Sequence, residues 1–304
     1  MQDLIAHIDE AWGRLRHDPD ALEAYLVNLL DDVEREYGEA SPQFVSVANE
    51  LGSFYRIVAR YEKGEATFAR ALASIEQLAG RGDAYATCLD NLAELYRLEG
   101  DNDKAEKTLG QAEEYFSDKH SMEYAACLNY KGHVASAKGE FSQAKEFYAS
   151  GLAIARTYPE RDFEIEAAYG NIASACEALG QLDEANDLLS RARELYENGT
   201  LSKGAHFVAL LNTMAQLAER LEDFEAAKAL YEEELDALGS IPTSPVDAAV
   251  SLANAGDFFF AQNDLASAEQ IAQRIRKIAD IAQLAKDPIV ARALARSRTW
   301  TNAG

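Results

Sequence analysis

A pair of small residues, twelve positions apart, returns along this chain at intervals of 39 to 42 residues. The first members are Gly52, Ala93, Gly132, Ala173, Ala215 and Gly256; the second are Gly64, Ala105, Ala144, Ala185, Ala227 and Ala268. A period of about 20 to 50 residues is the mark of a stacked-repeat architecture. Two small residues per unit indicate two helices that touch too closely for larger side chains. The unit is therefore expected to be a helical hairpin, with Gly132 and Ala144 facing each other across one of them.

The second unit shows the pattern most fully: Leu89, Leu92, Ala93 and Tyr96, then Gly100, then Ala105, Leu109 and Ala112. Apolar residues three and four apart place one stripe on a helix. Gly100 ends the first helix in the left-handed cap conformation, and Asp101 or Asp103 caps the start of the second. The same turn position holds Gly139 and Gly180 in units three and four, and Ala59, Glu222 and Asn263 in units one, five and six. Ser41-Pro42, Ser244-Pro245 and Asp287-Pro288 each offer an N-cap followed by proline at the first helical position. Two amphipathic segments, 2–16 and 20–37, separated by His17-Asp18-Pro19, precede the repeats, and a last helix spans about 288–299. Expected, then, are a capping hairpin over 1–40, six repeats over 41–279 and a capping helix over 280–304, joined in one continuous solenoid.

Hydrophobic residues make up 48% and charged ones 27%, so the chain is neither disordered nor membrane-spanning. No apolar run approaches the roughly 18 residues that would cross a bilayer. The opening MQDLIAHIDEAWGRLRHD lacks a signal-peptide layout, which makes the cytoplasm the default expectation. Cys88, Cys127 and Cys176 form no CxxC pair and read as small buried hydrophobes rather than redox or metal groups.

The net charge of −23 argues against nucleic acid as a partner, since phosphate binding calls for a basic surface. The charge is uneven. Arg274, Arg276, Lys277, Lys286, Arg292, Arg296 and Arg298 outnumber Asp280 and Asp287 after position 270, leaving the acidic excess on the preceding body. Either this is a solvated surface with a cationic end, or the acidic body attracts basic partners, the tail of a neighbouring copy among them.

The order Leu–small–x–x–aromatic, then Ala, then Leu or aromatic, resembles the tetratricopeptide repeat across residues 41–279. The stretch Leu89-Asp90-Asn91-Leu92-Ala93-Glu94-Leu95-Tyr96 is similar to the long-period arrays of kinesin light chain. The chain departs from the family at Lys131, where leucine is usual, at Glu234, where alanine is usual, and in lacking the closing proline. The resemblance implies an all-α fold: a right-handed superhelical solenoid of antiparallel helix pairs, first helices lining its concave side. It implies a non-catalytic scaffold that binds an extended peptide or a partner helix there.

By position, the residues expected to line that side and hold a peptide are Asn49, Asn91, Asn129, Asn171, Asn212 and Asn254, with Arg56, Arg97, Glu94, His133, Ser174, Gln216 and Asp257. A carboxamide can pair with both the N–H and the C=O of an extended backbone, and in similar arrays an asparagine ladder does so. The alternative is that these asparagines stitch neighbouring repeats together. Asn49, Asn129 and Asn212 lie three residues before the small residue and Asn91, Asn171 and Asn254 two before it, so they form two stripes. Arg56 and Arg97 occupy equivalent positions in adjacent units and suit a carboxylate, unless local acids such as Glu94, Asp90 or Glu50 take them.

No phosphate loop, GxGxxG, HExxH or GxSxG sequence is present, and His7, His17, His120, His133 and His206 show no ligand spacing. Catalytic residues, metals and cofactors are therefore not expected. Two other readings stand beside the scaffold: a small-molecule sensor with its ligand among Arg56, Arg97 and His133, and self-assembly through residues 286–304, with Trp300 entering another copy.

Overall fold

A computed structural model describes residues 2–15, 18–281 and 284–301. His17 of the first linker and residues 302–304 of the tail lie outside the described residues. The helices, in chain order, are α1 (Gln2–Leu15), α2 (Pro19–Tyr37), α3 (Pro42–Ile57), α4 (Tyr61–Ala79), α5 (Asp83–Glu99), α6 (Asn102–Tyr115), α7 (Met122–Ala137), α8 (Phe141–Ala155), α9 (Asp162–Ala178), α10 (Leu182–Glu197), α11 (Ala205–Arg220), α12 (Phe224–Ser240), α13 (Pro245–Ala261), α14 (Leu265–Ala279) and α15 (Pro288–Thr301). No strand occurs among the described residues, and no described helix is long and apolar enough to cross a membrane.

The helices fall into two compact units, Met1–Pro159 with α1–α8 and Glu160–Gly304 with α9–α15. In the first, α3 pairs with α4, α5 with α6 and α7 with α8; in the second, α9 with α10, α11 with α12 and α13 with α14. Each second helix also packs on the first helix that follows it within its unit. The protein is an all-helical solenoid of helix pairs.

The local signals act as their chemistry requires. Ser41 Oγ accepts from Phe44 N–H and Ser244 Oγ from Asp247 N–H, each just before a helix that opens on proline. Asp101, rather than Asp103, caps α6 by accepting from Lys104 N–H. Ala59, Gly100, Gly139, Gly180, Glu222 and Asn263, one per hairpin turn, all have positive φ.

The small residues of the first hairpin approach each other, a Cβ on Gly64 lying 3.6 Å from the Gly52 carbonyl oxygen, and they also make room for large side chains. A Cβ on Gly52 would lie 2.7 Å from Phe68 Cε1, and one on Gly132 would run into the ring of Tyr148. Gly52 and Gly132 thus also make room for the rings of Phe68 and Tyr148, each sixteen positions on. Ala144 is itself fully buried. In the sixth unit the residue sixteen after Gly256 is Ala272, and α15 fills the space instead: the Trp300 indole lies over Gly256. α15 packs on α13 and α14, and its polar partners on α13 are 39 to 43 residues away, one repeat period. It stands where the first helix of a seventh hairpin would.

The cysteines are buried and none is in a disulfide. Burial pushes the Cys88 thiol up to about 12, which keeps it a thiol.

Candidate functional site

Side chains that the packing does not consume collect on the first helices of the Met1–Pro159 unit. Asn49 on α3 is half-buried, with a buried Oδ1 that has no hydrogen-bond partner. Asn91 on α5 and Arg56 on α3 are also half-buried, and neither side chain is bonded to another described residue. Arg97 is different: its Nε and NH2 donate to the two oxygens of Glu94, both at 2.7 Å. Glu94 is itself buried. The expected twin guanidiniums are therefore one engaged fork and one, Arg56, without a side-chain partner among the described residues. On α7, Asn129 lies 3.5 Å from His133 Nε2, and the imidazole sits between the rings of Tyr130 and Tyr148. Burial lowers the His133 pKa and favours the neutral ring.

In the Glu160–Gly304 unit the corresponding residues bond to one another. Asn212 is 7% exposed. Its Nδ2 donates to Glu234 Oε2 at 3.1 Å, and its Oδ1 accepts from Gln216 Nε2 at 2.5 Å and from Asn254 Nδ2 at 3.0 Å. Asn254 Oδ1 accepts from Arg296 at 3.1 Å, and Asp257 accepts from Arg296 Nε at 2.9 Å and from Trp300 Nε1 at 2.8 Å. The chain of bonds links α11, α12, α13 and α15. Asn212 and Asn254 thus do the stitching between repeats that the sequence left as an alternative for the asparagines. Asn171 is half-buried and Ser174 exposed on α9. Trp300 and Arg296 are committed within their own chain.

Two acids stand out by burial. Asp90 is 2% exposed and Glu234 0%, and each leaves one oxygen without a partner. Burial raises both carboxyls to about 7; Cys127 bonding and the Lys131 charge oppose this at Asp90, and Ser251 and Asn212 oppose it at Glu234. Asp90 occupies the register of Asn49, Asn129 and Asn212, three before the small residue.

That stripe also floors two grooves. A cavity of about 490 Å³ lies between α3, α5 and the start of α7, lined by Val45, Asn49, Thr87 and Cys88 and rimmed by Asp83, Asp118 and Glu123. A second, of about 440 Å³, lies between α11 and α13, lined by Val208, Asn212, Val250 and Ser251. Val45, Asn49, Thr87 and Cys88 correspond to Val208, Asn212, Val250 and Ser251, each 163 residues further along the chain. The same inter-repeat niche recurs in each unit. The rim residues of the first niche escaped the sequence reading because they lie at helix starts and in a loop, outside the repeat positions. No group of three or more His, Cys, Asp or Glu among the described residues could hold a metal ion.

Helical hairpins in tandem, with a polar first-helix face, define a helical-repeat protein. Residues 43–118 match the tetratricopeptide repeat family, and the fold is that of tetratricopeptide-repeat proteins. The structure is similar to BtubC (BKLC) from P. vanneervenii, with 18% identity, TM-score 0.59, and coverage of 79% of this chain and 89% of that one. It is similar to a putative kinesin light chain with nearly identical TPR-like repeats from Podosopora anserina, with 19% identity, TM-score 0.55, and coverage of 64% and 94%. A tetratricopeptide repeat protein from Parabacteroides merdae aligns over 98% of this chain and 100% of its own, with 16% identity and TM-score 0.59. No curated protein matches the chain.

Proposed function

We propose that the protein is a non-catalytic interaction scaffold that holds an extended segment of a partner protein along the first-helix face of residues 1–159. Tetratricopeptide repeats generally mediate protein–protein interaction. The observation that carries the finer reading is the contrast between the two units. Asn212, Gln216 and Asn254 spend their hydrogen bonds on each other, whereas the Asn91 and Arg56 side chains have no partner among the described residues. Half-buried polar side chains without a protein partner keep their donors and acceptors for a ligand that replaces their water. An extended backbone offers alternating N–H and C=O groups that a carboxamide and a guanidinium can meet. The site residues retained for this role are Asn49, Asn91, Arg56, Asn129 and His133.

The test is selection of binding peptides from a random library on the intact chain, then titration against Arg56→Ala/Asn91→Ala. The double variant is expected to weaken the selected peptides about tenfold or more, equivalent to about 1.4 kcal/mol, with an unchanged thermal melt. Equal binding by wild type and variant overturns the reading.

A further inference from the structure

Asn198-Gly199 is the one Asn-Gly step in the chain. It closes α10, with Asn198 as the C-cap at φ −78° and ψ 0° and Gly199 beyond it at φ 73°. Both residues are exposed, as is Thr200. The Asn198 carboxamide has no partner among the described residues. A Cβ built on Gly199 would meet nothing within 4 Å, so the space beside this backbone is open. Two bonds hold the end of the helix: Gly199 N–H donates to the Tyr196 carbonyl at 3.2 Å, and Leu201 N–H to the Leu195 carbonyl at 2.8 Å. Asn28 and Asn186 are exposed too, but each lies inside a helix, before Leu29 and Asp187.

We propose that Asn198 is a self-modification site, at which the neighbouring backbone displaces the side-chain amide and the resulting acid loosens the end of α10. Asparagine is among the thermolabile residues. The Gly199 amide nitrogen forms a bond to Asn198 Cγ, the Cγ–Nδ2 bond breaks, and ammonia leaves with the amide proton. The product is a five-membered succinimide. Water then opens the ring: attack at Cγ gives aspartate, and attack at the main-chain carbonyl carbon gives isoaspartate. One water enters, one ammonia departs and one carboxylate is gained, with no change of oxidation state. Glycine favours the closure because it carries no Cβ to crowd the attacking nitrogen. At ψ 0° that nitrogen eclipses the Asn198 nitrogen rather than Cβ, so the cap must open first. Opening is easiest at an exposed helix end, and at Asn186 it would break bonds inside α10. The new charge is unfavourable there, because the C-terminal end of a helix is already negative. Isoaspartate also adds a backbone atom just before the two cap donors, Gly199 N–H and Leu201 N–H. The site lies in the second unit and is independent of the binding role of residues 1–159.

The test is incubation of the folded full chain at mildly alkaline pH, followed by peptide mapping with a mass spectrometer and an assay of released ammonia. The Asn198 peptide is expected to gain the mass of an amide-to-acid exchange at least about tenfold faster than the Asn28 and Asn186 peptides. Asn198→Gln, which keeps the carboxamide but would need a six-membered ring, is expected to lose the fast release of ammonia. Equal rates at the three asparagines, an intact Asn198, or fast release that persists in Asn198→Gln overturns the site. Hydrogen exchange of the converted chain, read by NMR, tests the consequence. The Gly199 and Leu201 amides should exchange roughly threefold faster or more than in the unconverted chain, and Asn198→Asp should reproduce the part due to charge alone. Unaltered exchange at both amides in the converted chain overturns the loosening of α10.

Discussion

The turn residues test how the chain tolerates strain. Ala59, Glu222 and Asn263 adopt φ values of 55°, 60° and 59°, where the other hairpin turns use glycine. A Cβ in the left-handed region costs roughly 1–2 kcal/mol, partly offset by the extra freedom glycine gives the unfolded chain. Glu222→Gly is therefore expected to raise stability by about 0.5–1 kcal/mol, read as a higher urea midpoint at constant slope. A lower midpoint would mean that the Glu222 side chain makes a contribution of its own. The buried acids set a second residue-scale expectation. Asp90 and Glu234 have folded pKa values of about 7, above those of ordinary carboxyls. The folded state then binds more protons between roughly pH 4 and pH 7, and each acid lowers stability across that window by up to about 1.4 kcal/mol per pH unit. The favourable contribution is complete below pH 4 and gone above pH 7. Asp90→Asn should remove one of the two slopes, so its stability relative to wild type should rise from pH 4 to pH 7. A difference independent of pH would show that Asp90 does not titrate in that range.

At the scale of helices, the fit between α7 and α8 and between α13 and α15 follows one rule: a glycine on a first helix receives an aromatic ring. Gly132→Ala should cost about 1–3 kcal/mol by overpacking against Tyr148. Combined with Tyr148→Leu, the loss should be less than additive, and a double-mutant cycle in chemical denaturation measures this directly. Strict additivity would mean that the ring is not what Gly132 accommodates. The hairpins, their caps and the turn positions were legible in the sequence because they depend on neighbours within a few residues. The ring receptors were not, because position 148 and position 300 lie 16 and 44 residues from the glycines they cover. Which asparagines bond within the protein was hidden for the same reason. Asn212 is consumed by Glu234, 22 residues on, and by Asn254, 42 residues on, while Asn49 has no such partner. The departure at Glu234, visible as an acid where alanine is usual, was the one sequence signal that this stripe differs between units.

Across the whole molecule, charge and packing divide the labour between the ends of the chain. Several ion pairs span about one repeat period, among them Arg60–Asp20, Lys104–Glu65 and Arg193–Glu233. Their side chains are partly exposed, so each adds little to stability and screening weakens it further. What closes the second unit is α15, through the Trp300 indole over Gly256 and the Arg296 bonds to Asn254 and Asp257. In a solenoid the stability of a repeat is its own plus that of its nearest-neighbour interfaces. A chain ending at Lys286 loses the interface on α13 and α14 and leaves Asn254 and Asp257 without their donors. Hydrogen exchange should accordingly speed up in α13 and α14 while α3–α8 keep their protection, and Trp300→Ala alone should reproduce most of that loss at a cost of about 3 kcal/mol. Because Trp300 and Arg296 bond within their own chain, the truncated protein should keep the oligomeric state of the full chain when both are weighed by light scattering. A fall to half the mass would place α15 in an interface between copies, and unchanged exchange in α13 would remove it from the architecture of the second unit altogether.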